Sequence, residues 1–394
     1  MDEPILSQAQ MNIVDRVLEW LKTDEQTLVI GGYAGTGKTT ISKYLQSKLG
    51  CITFAAYTGK AVNVLRSKGC NNVHTIHSLI YQPVELDKAP LKAKIAEIEE
   101  AEKIGDKFLL NRLRKDYLEL EEKLHQPAFK LRLDVNGGGF IIVDEYSMLD
   151  EDIVRDLLKN YKKILFMGDP FQLPPVNGVC PLRPAVVLNE IHRQAGDSGI
   201  IQYATKIRNM EYFGFCETPD FAYCPWDSVP DDEAAAYDVI ICGRNKTRQQ
   251  LNAWKRRFIG IDRTLPIAGE QMMCLRNNKD LEIFNGMTMT VQEDAHKMRD
   301  EDIKYMVKFN ELKEEISVWE GDIKGEQFKW ANPRVRGLQR FDFCHAITAH
   351  KSQGSEYNYV LVVKEPIGDD EVMRARWMYT AITRGKKGVK LVMQ

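Results

Sequence analysis

The sequence predicts an α/β protein, with parallel sheets covered by helices on both faces. Three observations predict it. Short apolar runs alternate with helical patterns through the first half of the chain. A glycine-rich turn joins one such run to a helical stretch. Buried-strand character returns near the C-terminus after a β-rich interval. Short apolar strands that alternate with helices are the pattern of a sheet buried on both sides. The 394 residues suggest two or three domains at about 150 residues each.

Taken in order, residues 8–22 place Met11, Val14, Leu18 and Leu21 on one helical face. Thr27–Ile30 is a short apolar strand that runs into the glycine turn, and 39–48 is helical. Ile52–Ala56 reads as a strand, 59–67 as a helix, and Phe140–Val143 and Ile164–Met167 as two further strands. Residues 88–125 break this rhythm. Leu91, Ile95 and Ile98, then Leu110, Leu113, Tyr117, Leu120 and Leu124, repeat at helical spacing on either side of Gly105-Asp106. That pattern predicts an antiparallel helical hairpin, flanked by strands at Tyr81–Leu86 and Ala128–Leu133. The mixed charges between its apolar positions read as a solvated face.

The second half opens with a helical stretch at 196–210, then a strand at Val239–Cys242 and a helix at 246–258. Residues 265–343 turn β-rich, with Met287–Val291, Tyr305–Phe309 and Glu315–Trp319 as strands. Val360–Val363, a helix at 370–383 and Val389–Met393 complete the chain.

Composition narrows the class. Apolar residues make up 44% and charged residues 28%, which excludes collagen, wholesale disorder and a small disulfide scaffold. No apolar run approaches the roughly 20 residues of a membrane helix, so a membrane partner is not expected. The net charge is −2, from 54 basic and 56 acidic residues, so a nucleic-acid surface would have to be a local cluster. The eight cysteines are scattered and form no C-x-x-C pair, and the N-terminus is acidic and polar, unlike a signal or transit peptide. The expectation is a reduced, cytoplasmic protein.

The strongest motif is Gly32-Tyr-Ala34-Gly35-Thr36-Gly37-Lys38-Thr39, followed by Thr40. It matches G-x-x-x-x-G-K-[ST], after a strand and before a helix. The glycines let backbone N–H groups curl around phosphate oxygens, the helix adds its positive end, and Lys38 supplies a point charge for the β and γ phosphates. Thr39 offers a hydroxyl to Mg²⁺. A second element, Gly139-Phe-Ile-Ile-Val143, ends in Asp144 and Glu145. Asp144 is the second candidate metal ligand and Glu145 the candidate general base for an attacking water. ATP and Mg²⁺ are the expected cofactors.

Three later segments choose among P-loop NTPases: Gly168-Asp169-Pro-Phe-Gln172-Leu-Pro174-Pro175, Thr348-Ala-His350-Lys351-Ser352-Gln353-Gly354-Ser355-Glu356, and Tyr379-Thr380-Ala-Ile-Thr383-Arg384. In this order they resemble superfamily 1 DNA helicases, most closely the group B kind that is RecD-like, TraI-like and phage Dda-like. The resemblance runs from Leu6 to about Lys387. It implies an ssDNA-stimulated ATPase that moves 5′→3′ and unwinds duplex, with single-stranded DNA and duplex junctions as partners. A related superfamily 1 branch that remodels RNA or RNPs stays open as an alternative.

The resemblance implies a role for each matching residue. Gln10 would read adenine, and Gln172 would sense the γ-phosphate. Arg193 and Arg384 would reach the transferring phosphoryl group from the second lobe. Gly354 and Glu356 would join the nucleotide site from the DNA side. Thr58, Lys60, His77, Pro174, Asn245, Thr348, His350 and Lys351 would line the DNA track. The implied fold is two RecA-like lobes, 1–80 with 139–187 and 188–262 with 344–394. An insert at 81–138 interrupts the first, and an SH3-like β insert at 265–343 interrupts the second. Relatives carry a strand-separating pin in the first insert, for which Phe129 and Tyr81 are the aromatic candidates here. Trp319 and Trp330 are candidates for base stacking. The expected state is a monomer, with 88–125 available to a protein partner.

Overall fold

The computed structural model describes residues 5–84, 89–125, 128–132, 138–176, 178–189, 198–278, 281–298, 303–326, 328, 335 and 337–393. Helix α1 (Gln8–Trp20) starts where Ser7 and Gln10 form a capping box. It buries Ile13, Val14, Val17 and Trp20. Of the predicted face only Val14 is buried, because the neighbouring stripe carries the bulkier Ile13 and Trp20, and that stripe faces the sheet.

The chain then supplies β1 (Thr27–Gly32), α2 (Lys38–Leu49), β2 (Thr53–Ala56), α3 (Gly59–Ser67), β3 (Val73–Thr75) and the short α4 (Ile76–Ile80). An excursion follows through β4 (Tyr81–Val84), α5 (Ala89–Ile104), α6 (Lys107–His125) and β5 (Ala128–Leu131). The chain returns with β6 (Gly138–Asp144), α7 (Glu151–Asn160), β7 (Tyr161–Gly168) and β8 (Val186–Leu188). Six of these strands form one parallel sheet in the order β3-β2-β6-β7-β1-β8. β1 and β6 both border β7, so the glycine turn after β1 and the acids ending β6 lie at the same edge of the sheet.

The second lobe begins with the helix Gly199–Arg208, then β9 (Cys216–Glu217), β10 (Phe221–Pro225), β11 (Val239–Cys242) and the helix Asn245–Phe258. A β-rich interval holds β12 (Gln271–Cys274), β13 (Thr288–Thr290), β14 (Lys304–Val307), β15 (Ile316–Trp319) and β16 (Phe341–Phe343). Last come β17 (Ala346–Thr348), β18 (Tyr357–Lys364), the helix Glu371–Ile382 and β19 (Gly385–Met393). The second sheet runs β17-β11-β18-β19-β10-β9, parallel except for β9. The molecule is thus a mixed α/β architecture of two parallel-sheet lobes with a helical and a β-rich insertion.

Neither β8 nor β10 is among the predicted strands. β8 has three residues, and β10 ends at Pro225 and takes its place by pairing with β19, far away in sequence.

The β insertion has its own core, with Met272, Cys274, Met289, Tyr305, Val307, Phe309, Val318 and Phe341 all buried. It is anchored to the helix Asn245–Phe258 by buried ion pairs. Arg256 Nε donates to Glu270 Oε1 at 2.7 Å, and Arg248 pairs with Asp342. Phe284 closes onto the first lobe at Gly59, where an added Cβ would lie 2.5 Å from the Phe284 Cβ. Trp319 is buried and belongs to a small core cluster, so its face is not free to stack on a base. Trp330 lies outside the described residues.

In the first insertion, β4 and β5 form an antiparallel ribbon that carries the helical hairpin. Tyr81 is tied down, its hydroxyl donating to Asp156 Oδ2 on α7 at 2.8 Å. Phe129 on β5 is 53% exposed. Among described side chains of α5 only Ala101 is buried, and Ile104 and Phe108 near the turn are 69% and 84% exposed. Replacing residues 85–127 by a short turn from Val84 to Ala128 should therefore shift the melting temperature by less than about 3 °C, the size of a surface change. A loss of more than about 10 °C would place the hairpin in the folding core.

Candidate functional site

Gly35 and Gly37 have φ of 79° and 78°, a left-handed conformation open to glycine and strained for other residues. Gly32 is required by space, since a Cβ there would lie 2.8 Å from Thr36 Oγ1 and 3.0 Å from Lys38 Cγ. The loop closes on itself. Lys38 Nζ donates to the Gly32 and Tyr33 carbonyls at 2.6 and 3.2 Å, and Thr36 Oγ1 donates to the Tyr33 carbonyl at 2.9 Å. Thr39 and Thr40 follow in the first turn of α2. Gln10 is buried, with its amide nitrogen donating to the Thr36 carbonyl at 3.1 Å and its oxygen accepting from the Ser7 N–H. In this arrangement Gln10 braces the P-loop against α1.

Asp144 ends β6 beside this loop, and Glu145 follows in a left-handed conformation with φ 55° and ψ 46°. For a non-glycine residue that costs about 1–3 kcal/mol. Burial raises the Asp144 carboxyl above its ordinary range, against the opposing charge of Lys38. Burial, and next the Asp144 charge, push Glu145 up to about 7, with Arg384 and Lys38 pulling the other way. Among the described residues Glu145 Oε2 is buried without a hydrogen-bond partner. No cluster of three or more His, Cys, Asp or Glu with metal-site geometry exists among the described residues.

The second lobe reaches into this edge at several points. The Tyr379 hydroxyl donates to Asp169 Oδ2 at 2.6 Å and accepts from the Ala34 N–H of the P-loop at 3.1 Å. The Leu173 N–H donates to Thr380 Oγ1 and the Leu173 carbonyl accepts from Gln353 Nε2, both at 2.9 Å. Gln172 is buried between these contacts, its Oε1 without a partner among the described residues. Arg384 is buried too. It donates to the carbonyls of Thr380 and Ser355 and to the Thr383 hydroxyl, and its charge is felt at Glu145. Arg193 lies outside the described residues.

Two residues expected to face DNA, Thr58 and Thr348, share a local form with Thr75 next to His77. Thr58 caps α3, Thr75 caps α4 and Thr348 caps the short helix Ala349–Ser352. Each side-chain oxygen accepts from an N–H three residues on. Each lies at the carboxyl end of a parallel strand, where helix N-termini collect. His77 lies between Tyr57 and Tyr81, with ring centroids 5.7 and 5.4 Å away. Burial lowers the pKa of both His77 and His350, so both rings are neutral at pH 7. Lys351 is half-buried, and its ammonium is lowered by burial and by Arg248. Pro174 is half-buried beside Leu173.

Other expected contacts are already occupied. Lys60 Nζ donates to the Tyr357 hydroxyl of the second lobe at 2.7 Å. Glu356 is paired with Lys68 and Lys386, both at 2.8 Å, and their charges hold it at about 2 despite partial burial. Gly354 has φ 71°, and a Cβ there would lie 2.9 Å from the Ala61 Cβ on α3. Asn245 is exposed. The turn before it is capped by Glu365, which accepts from the Gly243 and Arg244 N–H groups and the Thr247 hydroxyl.

Sequence reasoning missed Asp169, Tyr379 and Thr380 as contacts, although all three stand inside quoted motifs. It also missed Arg208, which packs its guanidinium on Tyr33 and carries no motif signal.

Residues 5–212 match the family model described as an AAA domain, and residues 343–392 match the UvrD-like helicase C-terminal domain. The ATP-dependent RecD2 DNA helicase of Deinococcus radiodurans is 24% identical over 97% of this chain and 48% of its own length. The RecBCD enzyme subunit RecD of Mycolicibacterium smegmatis is 22% identical over 68% of this chain and 51% of its own. The chain spans about half the length of these curated relatives. A structure of two coordinating Pif1 helicases at forked dsDNA superposes with TM-score 0.55 at 20% identity, covering 98% of this chain and 92% of that one. The Pif1 helicase from Bacteroides with ADP-AlF3 and ssDNA gives 0.54 at 18%, with the same coverage. The chain belongs to the AAA-domain family, on a P-loop core, and is similar over most of its length to the RecD and Pif1 proteins named above.

The raised carboxyl of Glu145 has a consequence for stability. Its folded-state pKa lies above the unfolded value, so the folded state is disfavoured as pH rises from about 4.5 to about 7. The penalty, about 3 kcal/mol at most, is complete above pH 7. Glu145→Gln should raise the melting temperature at pH 8 and leave it unchanged at pH 4, by scanning calorimetry at both values. A gain of equal size at pH 4 would contradict the assignment.

Proposed function

We propose that this chain is an ATP-driven DNA helicase: an ssDNA-stimulated ATPase that translocates 5′→3′ and unwinds duplex at junctions. The observation that supports it most is the Tyr379 hydroxyl, which bridges the P-loop N–H of Ala34 and the buried carboxylate of Asp169. A second-lobe residue is thereby in contact with both parts of the first lobe's nucleotide edge. A change in lobe position is then a change at the phosphate cradle. The named activity of the Deinococcus relative and the ssDNA in the Bacteroides Pif1 complex support the same reading.

In this reading the two sheets are RecA-like lobes, 1–80 with 139–187 and 188–262 with 344–394. Residues 265–343 are an SH3-like cover whose Phe284 closes onto Gly59. The P-loop amides, Lys38 and the α2 N-terminus hold the phosphates. The donor set fits Mg²⁺: one hydroxyl at Thr39, one carboxylate at Asp144, and an unpaired buried carboxylate oxygen nearby on Glu145. Thr39 and Asp144 would hold the ion with phosphate oxygens and water completing its shell. When bound, it neutralises charge developing on the phosphates. Glu145 takes the proton of the attacking water, and Arg384 and Arg193 bring fixed positive charge to the transferring group.

Gln172, Leu173 and Gln353 carry the nucleotide state toward the strand. The threonine-capped helix ends at Thr58, Thr75 and Thr348 hold DNA phosphates through amides and hydroxyls, with His77, His350 and Lys351 beside them. Neutral histidines and N-caps make a grip with a shallow salt dependence, which suits a motor that must release. Residues 88–125 are free for a protein partner, and the working unit is a monomer.

Lys38→Ala should reduce ATP hydrolysis at least about 100-fold while ssDNA affinity stays within about 3-fold. Wild-type hydrolysis by that variant would refute the site. A 5′-tailed duplex should be unwound and a 3′-tailed one left intact, and the reverse preference would refute the direction. ATPase stimulation by DNA above RNA separates this reading from the RNP-remodelling branch. Because Glu145 must be ionised to accept a proton, kcat/KM for ATP should rise with pH through about 7 and then level. A profile flat from pH 6 to 8 would remove Glu145 from that role.

A further inference from the structure

We infer that Arg208 is a nucleotide-positioning residue, acting through Tyr33 to couple the second lobe to the P-loop. The inference rests on the ATP-hydrolysing reading above. Arg208 ends the helix Gly199–Arg208, which packs against the helix Glu371–Ile382 and β19 of the second lobe. Its guanidinium carbon stands 3.7 Å from the centroid of the Tyr33 ring. Tyr33 is the second residue of the G-x-x-x-x-G-K-[ST] loop, a position at which the phosphate cradle itself asks for no particular side chain.

Three observations converge on that contact. Among the described residues the Arg208 side chain has no ion-pair or hydrogen-bond partner, and its guanidinium stacks on the Tyr33 ring. Tyr33 is built into the cradle by its backbone, because its carbonyl accepts from Lys38 Nζ and from Thr36 Oγ1. The next residue, Ala34, donates its N–H to Tyr379, a second-lobe residue whose hydroxyl also feels the Arg208 charge. Adjacent P-loop positions are thus held from the second lobe, one through a stacked cation and one through a hydroxyl. A planar guanidinium stacks on an aromatic face in a way that an ammonium does not reproduce. The stack favours one lobe position, and linkage requires that whatever lobe position it favours feeds back on ATP affinity by the same factor. It contributes to holding ATP and takes no part in bond breaking.

The test is a double-mutant cycle on the full chain, read as steady-state ATPase with saturating oligothymidine. Arg208→Ala should raise KM for ATP roughly 3- to 10-fold, the range of a partly desolvated cation–π contact, with kcat within about 2-fold, the signature of lost binding without lost chemistry. Tyr33→Ala should do the same, and the double variant should be no worse than either single one. Tyr33→Phe keeps the ring and should retain the wild-type KM, while Arg208→Lys should be intermediate. A variant that merely folds poorly would lower kcat through its active fraction and leave KM in place. The inference is overturned if Arg208→Ala has the wild-type KM, or if the two alanine changes multiply. Lys38→Ala run alongside keeps the two readings apart. If the wild type itself hydrolyses no ATP above that control, the proposed function fails. If it does and Arg208→Ala is indistinguishable from it, only the present inference fails.

Discussion

Two carboxylates, Asp144 and Glu145, stand together at the end of a strand buried on both faces, and burial disfavours their charges. Much of the site can be understood as a response to that cost. Lys38 and Arg384 are the cations whose fields reach Glu145, and they come from different lobes. Glu145 is held in a left-handed backbone conformation and, among the described residues, keeps an unpaired oxygen. Such a site is under-satisfied by the protein alone. Two buried carboxylates favour a cation, and in the proposed function Mg²⁺ held with the nucleotide would supply it.

The same economy runs through the contacts between the lobes. Several buried polar groups are paired across the cleft: Tyr379 with Asp169 and the Ala34 N–H, Thr380 and Gln353 with the two backbone groups of Leu173. A pairing lost in such a buried setting costs about 1–3 kcal/mol, so lobe motion is confined to arrangements that re-pair these groups. Farther along the cleft, α3 meets the second lobe through Lys60 with Tyr357, Lys68 with Glu356, and Ala61 with Gly354. It meets the β insertion through Gly59 and Phe284. One helix of the first lobe thus meets both the second lobe and the β insertion.

Much of this was legible in the sequence. The apolar runs give the central strands of both sheets, and the periodicity either side of Gly105 gives the hairpin α5–α6 with its ribbon β4–β5. The P-loop and the acids after β6 are legible because their chemistry fixes both residue type and spacing. What escaped depends on tertiary placement. β8 has three residues, and both β8 and β10 take their places from distant partners. The buried face of α1 differs from the expected one because two apolar stripes lie side by side and the sheet selects the bulkier. Glu356, Lys60 and Asn245 stand in motif-like segments, yet ion pairs, a hydroxyl or a neighbouring cap occupy their surroundings. Arg208 has meaning only through its distance from Tyr33.

The central claim is that one cleft links ATP to the bound strand. Linkage makes that claim measurable without following catalysis: two ligands that bias one equilibrium must change each other's affinity by the same factor. The direct measurement is a closed thermodynamic box: oligothymidine affinity with and without a non-hydrolysable ATP analogue and Mg²⁺, and analogue affinity with and without oligothymidine. A change of at least about 5-fold is expected in both, equal within error. Affinities for the strand that are the same with and without the analogue would contradict it.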